Sequence, residues 1–227
     1  MNKLFLLALL FSFQFSFSQD LLSMLETDDN ERKITTSIFK DNRIVNAQSS
    51  KQTAKGEFKF LIQHRFGTLN SGFYNLWGID NSQVRMALDY GLTERISLSG
   101  GRSSTNKQFD ASVKWNILRQ SNSFPFVLSA YSSVFLIHPS ESKREEANYD
   151  LLNQITFSNQ FIIARKFSSN FSAVILPTHI HLNSYEAGTS ADPLFIGLGG
   201  RYKVSKKISV NGEYFNALSE MKENHVN

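Results

Sequence analysis

Apolar and polar side chains alternate along most of residues 58–215. Roughly nine runs of about 7–12 residues show this period of two, which is typical of β-strands with one apolar and one polar face. In the first run, Phe60 and Ile62 share one face and Lys59 lies on the other. No segment between the runs has a clear helical pattern. The alternation therefore predicts an all-β protein in which one antiparallel sheet closes into an up-and-down barrel.

The connections between the predicted strands alternate in length. Those after the second, fourth, sixth and eighth strands are short, whereas those after the first, fifth and seventh are long and the one after the third is intermediate. Because outer-membrane barrels have short periplasmic turns and longer outer loops, the pattern favours a transmembrane barrel. A soluble lipocalin-like barrel, with its apolar face inside, is the alternative. The predicted strands include 153–166, 171–181, 194–203 and 208–215, with a bulge or break expected at Pro177.

The chain divides into four predicted segments. Residues 1–18 have the features of a secretory signal peptide, since Lys3 precedes a short apolar stretch and small residues allow cleavage before Gln19. Residues 19–56 are expected to form a periplasmic N-terminal extension, for which a plug, an extra strand and a loose tail remain open. Residues 57–216 are the predicted barrel domain, and residues 217–227 are a polar tail.

The predicted number of strands is odd, whereas single-chain bacterial barrels have even numbers. An unpaired ninth strand would also leave a bare edge in lipid. We therefore expect a complete barrel of about ten to twelve strands. On this interpretation C-terminal strands are missing, and the truncation falls in residues 217–227.

The composition narrows the functional classes. The chain has no cysteine, which excludes disulfide and thiol chemistry. Its formal net charge of +4 is small and its basic residues are scattered, so nucleic-acid binding is not expected. Aromatic residues make up 13% of the chain, and Phe dominates them. Such a content suits a lipid-facing wall with aromatic girdles at the membrane interfaces.

A set of short motifs spreads over most of the chain after residue 38. They are Phe39-Lys-Asp-Asn-Arg-Ile-Val-Asn46, His64-Arg-Phe-Gly67, Trp77-Gly-Ile-Asp80, Leu88-Asp-Tyr-Gly-Leu-Thr93, Gly101-Arg-Ser-Ser104 and the strand from Lys114 to Gln120. In pattern and order the chain resembles an uncharacterised β-barrel family of Bacteroidota, catalogued as a domain of unknown function. The resemblance implies an outer-membrane barrel. It implies no particular activity, substrate or catalytic residue.

Seven charged residues lie opposite the apolar face and would point into the lumen of a narrow barrel. They are Lys59, Arg65, Arg85, Asp89, Lys114, Arg201 and Glu213. Such mixed charges would either pair as a structural network or line a small polar or anion-selective pore. Arg102 is ambiguous, because a bulge at Gly100 and Gly101 would change the face on which it lies.

His179 and His181 share one face of a strand and could bind a metal together with Glu186 or Asp192. Because two histidines near a strand end also suit a wet interface, we assign no metal site. No nucleophile elbow or phosphate-binding motif is evident, so we assign no catalytic or cofactor-binding residues and do not expect an enzyme.

The sequence therefore predicts an integral outer-membrane β-barrel that contacts outer-membrane lipid. Its role would be that of a narrow channel for small polar solutes or of a structural membrane protein. A barrel that binds a partner through its long loops, at 67–81, 138–150 and 183–192, is the main alternative. An outer-membrane hydrolase and a soluble lipocalin-like binder are the others.

Overall fold

The computed structural model describes residues 34–35, 38–137, 151–183 and 191–218. Predictions for residues 1–33, 138–150, 184–190 and 219–227 lie outside this range. The nine strands are β1 Phe58–Arg65, β2 Gln83–Gly91, β3 Ile96–Ser103, β4 Phe109–Leu118, β5 Val127–Leu136, β6 Ile155–Lys166, β7 Phe171–Leu182, β8 Leu194–Lys203 and β9 Ser209–Ala217. Short 3-10 helices lie in the connections at Leu69–Ser71, Phe73–Asn81, Thr105–Lys107 and Leu151–Gln154. Within the described residues, no helix has the length and apolarity needed to cross a bilayer.

Each strand pairs antiparallel with the next strand along the chain, so the sheet is a meander from β1 to β9. This topology confirms the predicted all-β antiparallel fold. β8 begins and ends at the predicted residues, Leu194 and Lys203. Within the described strands, β1 pairs only with β2 and β9 only with β8, so the sheet remains open between them.

The two faces of the sheet differ in chemistry, as the alternation predicts. On β6, the outward side chains of Phe157, Phe161 and Ile163 are exposed, while the alternating Gln160 and Ile162 are buried. Buried serines, amides and charged groups line the inner faces of β2 to β5, and Ser172 and Thr178 are buried on β7. An exposed apolar wall around a largely polar interior is the reverse of the soluble lipocalin-like arrangement.

Residues 38–54, called here the inner segment, lie against the inner face of the sheet. Ile38, Phe39, Ile44 and Ala47 are buried in one cluster with side chains from β5, β6 and β7. The members from the sheet are Val127, Ile162, Ala164, Val174 and Leu176. Residues 38–54 therefore have the internal position of a plug, whereas residues 19–33 of the predicted extension lie outside the described residues.

The contacts of the inner segment require the sheet to curl. The side chain of Asn42 bonds Asp89 in β2, and the backbone of Val45 is held by Glu213 in β9. Three residues of chain span at most about 11 Å. In a flat sheet β2 and β9 would be roughly 34 Å apart, because neighbouring strands are about 4.8 Å apart. The sheet therefore wraps around the inner segment.

Gly91 lies against the backbone of the residues that connect the inner segment to β1. Any side chain at Gly91 would collide with the backbone oxygen of Ala54. The Gly91 amide donates to the Glu57 carbonyl, and the Gly56 amide donates to the Gly91 carbonyl. A residue without a Cβ is needed at this close approach of two backbones.

Three local predictions have clear outcomes. The pairing of β6 with β7 is interrupted opposite Pro177 and resumes in the same register, so the predicted irregularity is a break without a bulge. The register instead shifts in β4, between Asn116 and Leu118. β3 pairs continuously through Gly100 and Gly101, so no bulge forms there. Arg102 consequently lies on the outward face, with its guanidinium 5.4 Å from the centre of the Phe109 ring.

Candidate functional site

The interior of the curled sheet is the candidate site, and the seven predicted lumen residues all lie on its inner face. Their places are Lys59 and Arg65 in β1, Arg85 and Asp89 in β2, Lys114 in β4, Arg201 in β8 and Glu213 in β9. No ion pair joins any two of the seven within the part of the chain that the structure describes. Most of the partners that they do have belong to the inner segment.

Lys114 holds the inner segment through its backbone. Its ammonium donates to the carbonyl oxygens of Asn42 at 3.2 Å, Ser49 at 3.2 Å and Lys51 at 2.9 Å. An ammonium has three donors, so these contacts use all of them. The residue is 5% exposed. Because buried carbonyls need donors, Lys114 stabilises a non-repetitive stretch of chain that has few backbone partners of its own.

Glu213 makes the complementary contact from the opposite end of the sheet. Its carboxylate accepts hydrogen bonds from the amides of Val45 at 3.2 Å, Asn46 at 2.8 Å and Ala47 at 2.9 Å. Successive amides that converge on one anion form a concave binding site for negative charge. The inner segment therefore offers carbonyls to the ammonium of Lys114 and amides to a carboxylate.

A layer of amides and hydroxyls fills the space beside these two contacts. The amide of Asn42 donates to Thr53 at 2.9 Å and to Asp89 at 3.0 Å. The Gln52 amide donates to the Arg95 carbonyl at 2.8 Å. The two contacts of Asn42 satisfy buried polar groups, whereas the contact of Gln52 is exposed, and together they fix the position of the inner segment.

Asp41 and Lys59 form an ion pair at the edge of the interior. Burial is the largest influence on the Asp41 carboxyl and raises its pKa. The hydrogen bonds from Lys59 and the Asn42 amide, together with the charges of Lys59 and Lys51, outweigh it. The net effect is a pKa below the ordinary value of 3.8, so the carboxylate stays ionised at neutral pH.

Arg85 is committed to partners within the sheet. Its guanidinium pairs with both carboxylate oxygens of Asp110 and donates to Gln63 at 2.8 Å. A Cβ at position 101 would lie 2.7 Å from the Arg85 guanidinium, so Gly101 makes room for this pair. Arg65 lies beyond Arg85, at the exposed end of β1.

The inner segment separates two cavities inside the sheet. The turn-side cavity, of about 310 Å³, lies near the short connections 92–95 and 119–126 and is lined in part by Phe39, Gln52 and Asn116. The loop-side cavity, of about 300 Å³, lies at the strand ends that lead to the longer connections and is lined in part by Arg65 and Gln160. A lateral cavity of about 620 Å³ lies between the inner segment, β1 and β9.

His179 and His181 lie on the outward face of β7 and meet Asp192. One carboxylate oxygen of Asp192 is 3.2 Å from His179 Nε2 and 2.7 Å from His181 Nδ1. The hydrogen bond from His181 is the main reason why the pKa of Asp192 is lowered. Glu186 lies outside the described residues. Within those residues no group of three or more His, Asp or Glu has an arrangement that could hold a metal.

The sequence interpretation missed Asp110, Arg43 and the detailed role of the inner segment. Asp110 alternates with the apolar residues of β4, and this was the signal that could have placed it on the inner face. Arg43 follows no regular period. The only sequence signal for the inner segment is a small group of apolar residues, Ile38, Phe39 and Ile44, in a polar stretch that lacks the alternation of a strand.

A family model described as "Membrane bound beta barrel domain (DUF5777)" matches residues 39–227. The match begins within the inner segment and covers all the strands, so the plug and the sheet fall in the same domain. No curated protein and no solved structure matches the chain significantly.

Proposed function

The chain belongs to a family of membrane-bound β-barrel domains of unknown function, and from this premise we propose that it encloses a narrow, plugged passage for small polar solutes. The proposal places the barrel in the outer membrane, in contact with lipid through its apolar face. Residues 38–54 would be the constriction. Solutes would enter the cavities on either side of this segment and pass when it shifts.

The proposal rests on one observation, which is that residues 38–54 divide the polar interior of the curled sheet. Cavities of about 310 and 300 Å³ lie on its two sides. Hydrogen bonds attach the segment to β2, β4 and β9. Hydrogen bonds of this kind exchange for bonds with water at a small net cost, so such an attachment is suited to partial opening.

Two sequence features support the outer-membrane placement. Residues 1–18 have the features of a cleavable export signal, and the turn and loop lengths alternate as in outer-membrane barrels. The resemblance of its motifs to a barrel family of Bacteroidota implies the same location. Fractionation of cells that express the chain with its signal would test this placement. Recovery as a soluble periplasmic monomer would contradict it.

The passage is testable in planar bilayers. Because the chain has no cysteine, single cysteines give clean labelling sites. Gln160 faces inward and borders the loop-side cavity, whereas the adjacent Asn159 faces outward. We expect a charged methanethiosulfonate reagent to reduce the current through Gln160→Cys and to leave the current through the matched control Asn159→Cys unchanged.

A second pair of measurements tests the constriction. Lys114→Met combined with Glu213→Gln removes one backbone attachment and weakens the other, so the conductance of this variant should exceed that of the unmodified protein severalfold. Heat-modifiable mobility on a denaturing gel would establish that each variant is folded. If folded protein and folded double variant both fail to conduct, the passage does not exist and the barrel is structural.

The loop after β1 supports a second candidate function, the display of a binding surface. Phe73 and Tyr74 are 73% and 94% exposed. Leu76 and Trp77 hold left-handed backbone conformations, with φ of 44° and 52°. Ordered backbone of this unfavourable kind often accompanies function. Phe73→Ser with Tyr74→Ser should abolish attachment of cells to a partner surface while conductance is retained, and unchanged attachment would exclude this role.

A further inference from the structure

The loop-side cavity has an unequal balance of charge. Three guanidinium groups line it, from Arg43, Arg65 and Arg85, against the single carboxylate of Asp110. Asp110 is paired with Arg85 on both of its oxygens, so no carboxylate of the lining is left to pair with Arg43 or Arg65. The cavity lining thus carries a net positive charge, which favours an anion.

A hydrogen bond to the backbone holds the Arg43 side chain at this cavity. Its Nη1 donates to the Asn46 carbonyl at 2.8 Å, which leaves further donors of the planar fork unused by that contact. Burial lowers the pKa of the Arg43 guanidinium. Tyr131 and Asp89 oppose this shift, whereas repulsion from Arg85 and Arg65 adds to it. A bound anion would relieve that repulsion, and guanidinium groups bind carboxylate and phosphate in a bidentate manner.

The remaining walls indicate a ligand larger than a simple ion. A volume of about 300 Å³ is at the lower end of the range for small-molecule sites. The amides of Gln108 and Gln160 and the hydroxyl of Ser133 border the cavity. These groups donate and accept hydrogen bonds, as the hydroxyl groups of a small polar solute would require.

We propose that the loop-side cavity is a binding site for a small polar organic anion, with Arg43 and Arg65 holding its phosphate or carboxylate group. The inference rests on the proposed function, because it names the class of solute that would enter the passage. Selection would precede the constriction, since the site lies on one side of residues 38–54.

Calorimetric titration of the folded full chain in detergent would test this site. The probes are glucose 6-phosphate, inorganic phosphate and uncharged glucose, each at low ionic strength. Arg43→Gln and Arg65→Gln each remove one uncompensated charge, and Arg65 is exposed, so the second variant should fold normally. Arg65→Lys keeps the charge without the fork. Arg102→Gln is the matched control, because Arg102 lies on the outward face above Phe109.

We expect glucose 6-phosphate to bind more tightly than phosphate, and glucose to show no binding. Affinity should fall at least tenfold in Arg43→Gln and Arg65→Gln, partly recover in Arg65→Lys and remain unchanged in Arg102→Gln. Absence of binding, or equal weakening in Arg102→Gln, would overturn the inference. Because the titration needs no transport, binding without conductance refutes only the passage, and conductance without binding refutes only this site.

Discussion

Toward β2, β4 and β9 the inner segment meets hydrogen-bonding side chains, whereas toward β5, β6 and β7 it meets apolar ones. The first side contains Lys114 and Glu213, which bond its backbone at six points. On the second side, Ile162 and Leu176 are both 0% exposed and pack in one cluster with Ile38, Phe39 and Ile44.

The apolar contacts attach the inner segment to the sheet, and the polar contacts fix its position. Apolar packing is non-directional and scales with buried area, so the β5–β7 side provides most of the favourable energy. Hydrogen bonds contribute less net free energy, but that contribution is lost sharply when one partner moves. The contacts with β2, β4 and β9 therefore fix where each residue of the inner segment lies. A segment held in this way can lose its polar contacts and remain attached on its apolar side.

Leu176→Ala should have the largest effect on stability. The side chain is completely buried in the apolar cluster, so truncation leaves a cavity and should lower the free energy of unfolding by about 3 kcal/mol. Urea unfolding in lipid vesicles would measure it. Ile175→Ala is the matched control, because the adjacent Ile175 faces outward, where lipid can fill the space. Equal losses in the two variants would show that the apolar side contributes little.

Lys114→Met should have the next largest effect. Methionine keeps the length of the side chain but leaves the carbonyls of Asn42, Ser49 and Lys51 without their donor. We expect a loss of about 2 kcal/mol in the same unfolding assay. Lys51→Met is the control, since its ammonium bonds the Lys40 carbonyl at an exposed site. A loss of similar size there would remove the distinction between buried and exposed attachments.

Glu213→Gln should cost about 1 kcal/mol, because an amide oxygen accepts hydrogen bonds more weakly than a carboxylate does. The variant retains size and shape, so its effect isolates the charge that faces the amides of residues 45–47. Hydrogen exchange at those amides should accelerate, while exchange at the residues packed against Leu176 should not. Uniform acceleration along residues 38–54 would mean that the two sides are not independent.

The ion pair of Asp41 with Lys59 should give the smallest effect, about 0.5 kcal/mol, because both groups are partly exposed. The pKa of Asp41 is lowered by folding, so its contribution is present above 3.8, its ordinary value, and is lost as pH falls through the lower folded value. The difference in unfolding free energy between the protein and Asp41→Asn should therefore shrink below pH 3.8. A pH-independent difference would show that the charge is irrelevant.

The strands and their faces were predictable because alternation is a local property of the sequence. It placed β8 correctly and placed Lys114 and Glu213 on the inner face. Their partners were not predictable, since they are backbone atoms of a segment without periodicity. Whether Arg85 pairs with Asp110 depends on the space that Gly101 leaves between strands, and such space is a property of the register. Local patterns therefore predicted the strands and their faces, whereas the contacts between the strands and residues 38–54 are seen only in the three-dimensional structure.

The contacts of Glu213 also have a kinetic meaning. They join residues separated by 166–168 positions, from the inner segment before the first strand to the ninth strand. Loop closure over such a distance is entropically costly, and native contacts of high sequence separation form late in folding. We therefore expect the inner segment to dock before the sheet wraps around it. The hydrogen bonds of the Glu213 carboxylate with the three amides would then form at the end of folding. A variant that weakens them should unfold faster, while the early steps of its folding remain unchanged.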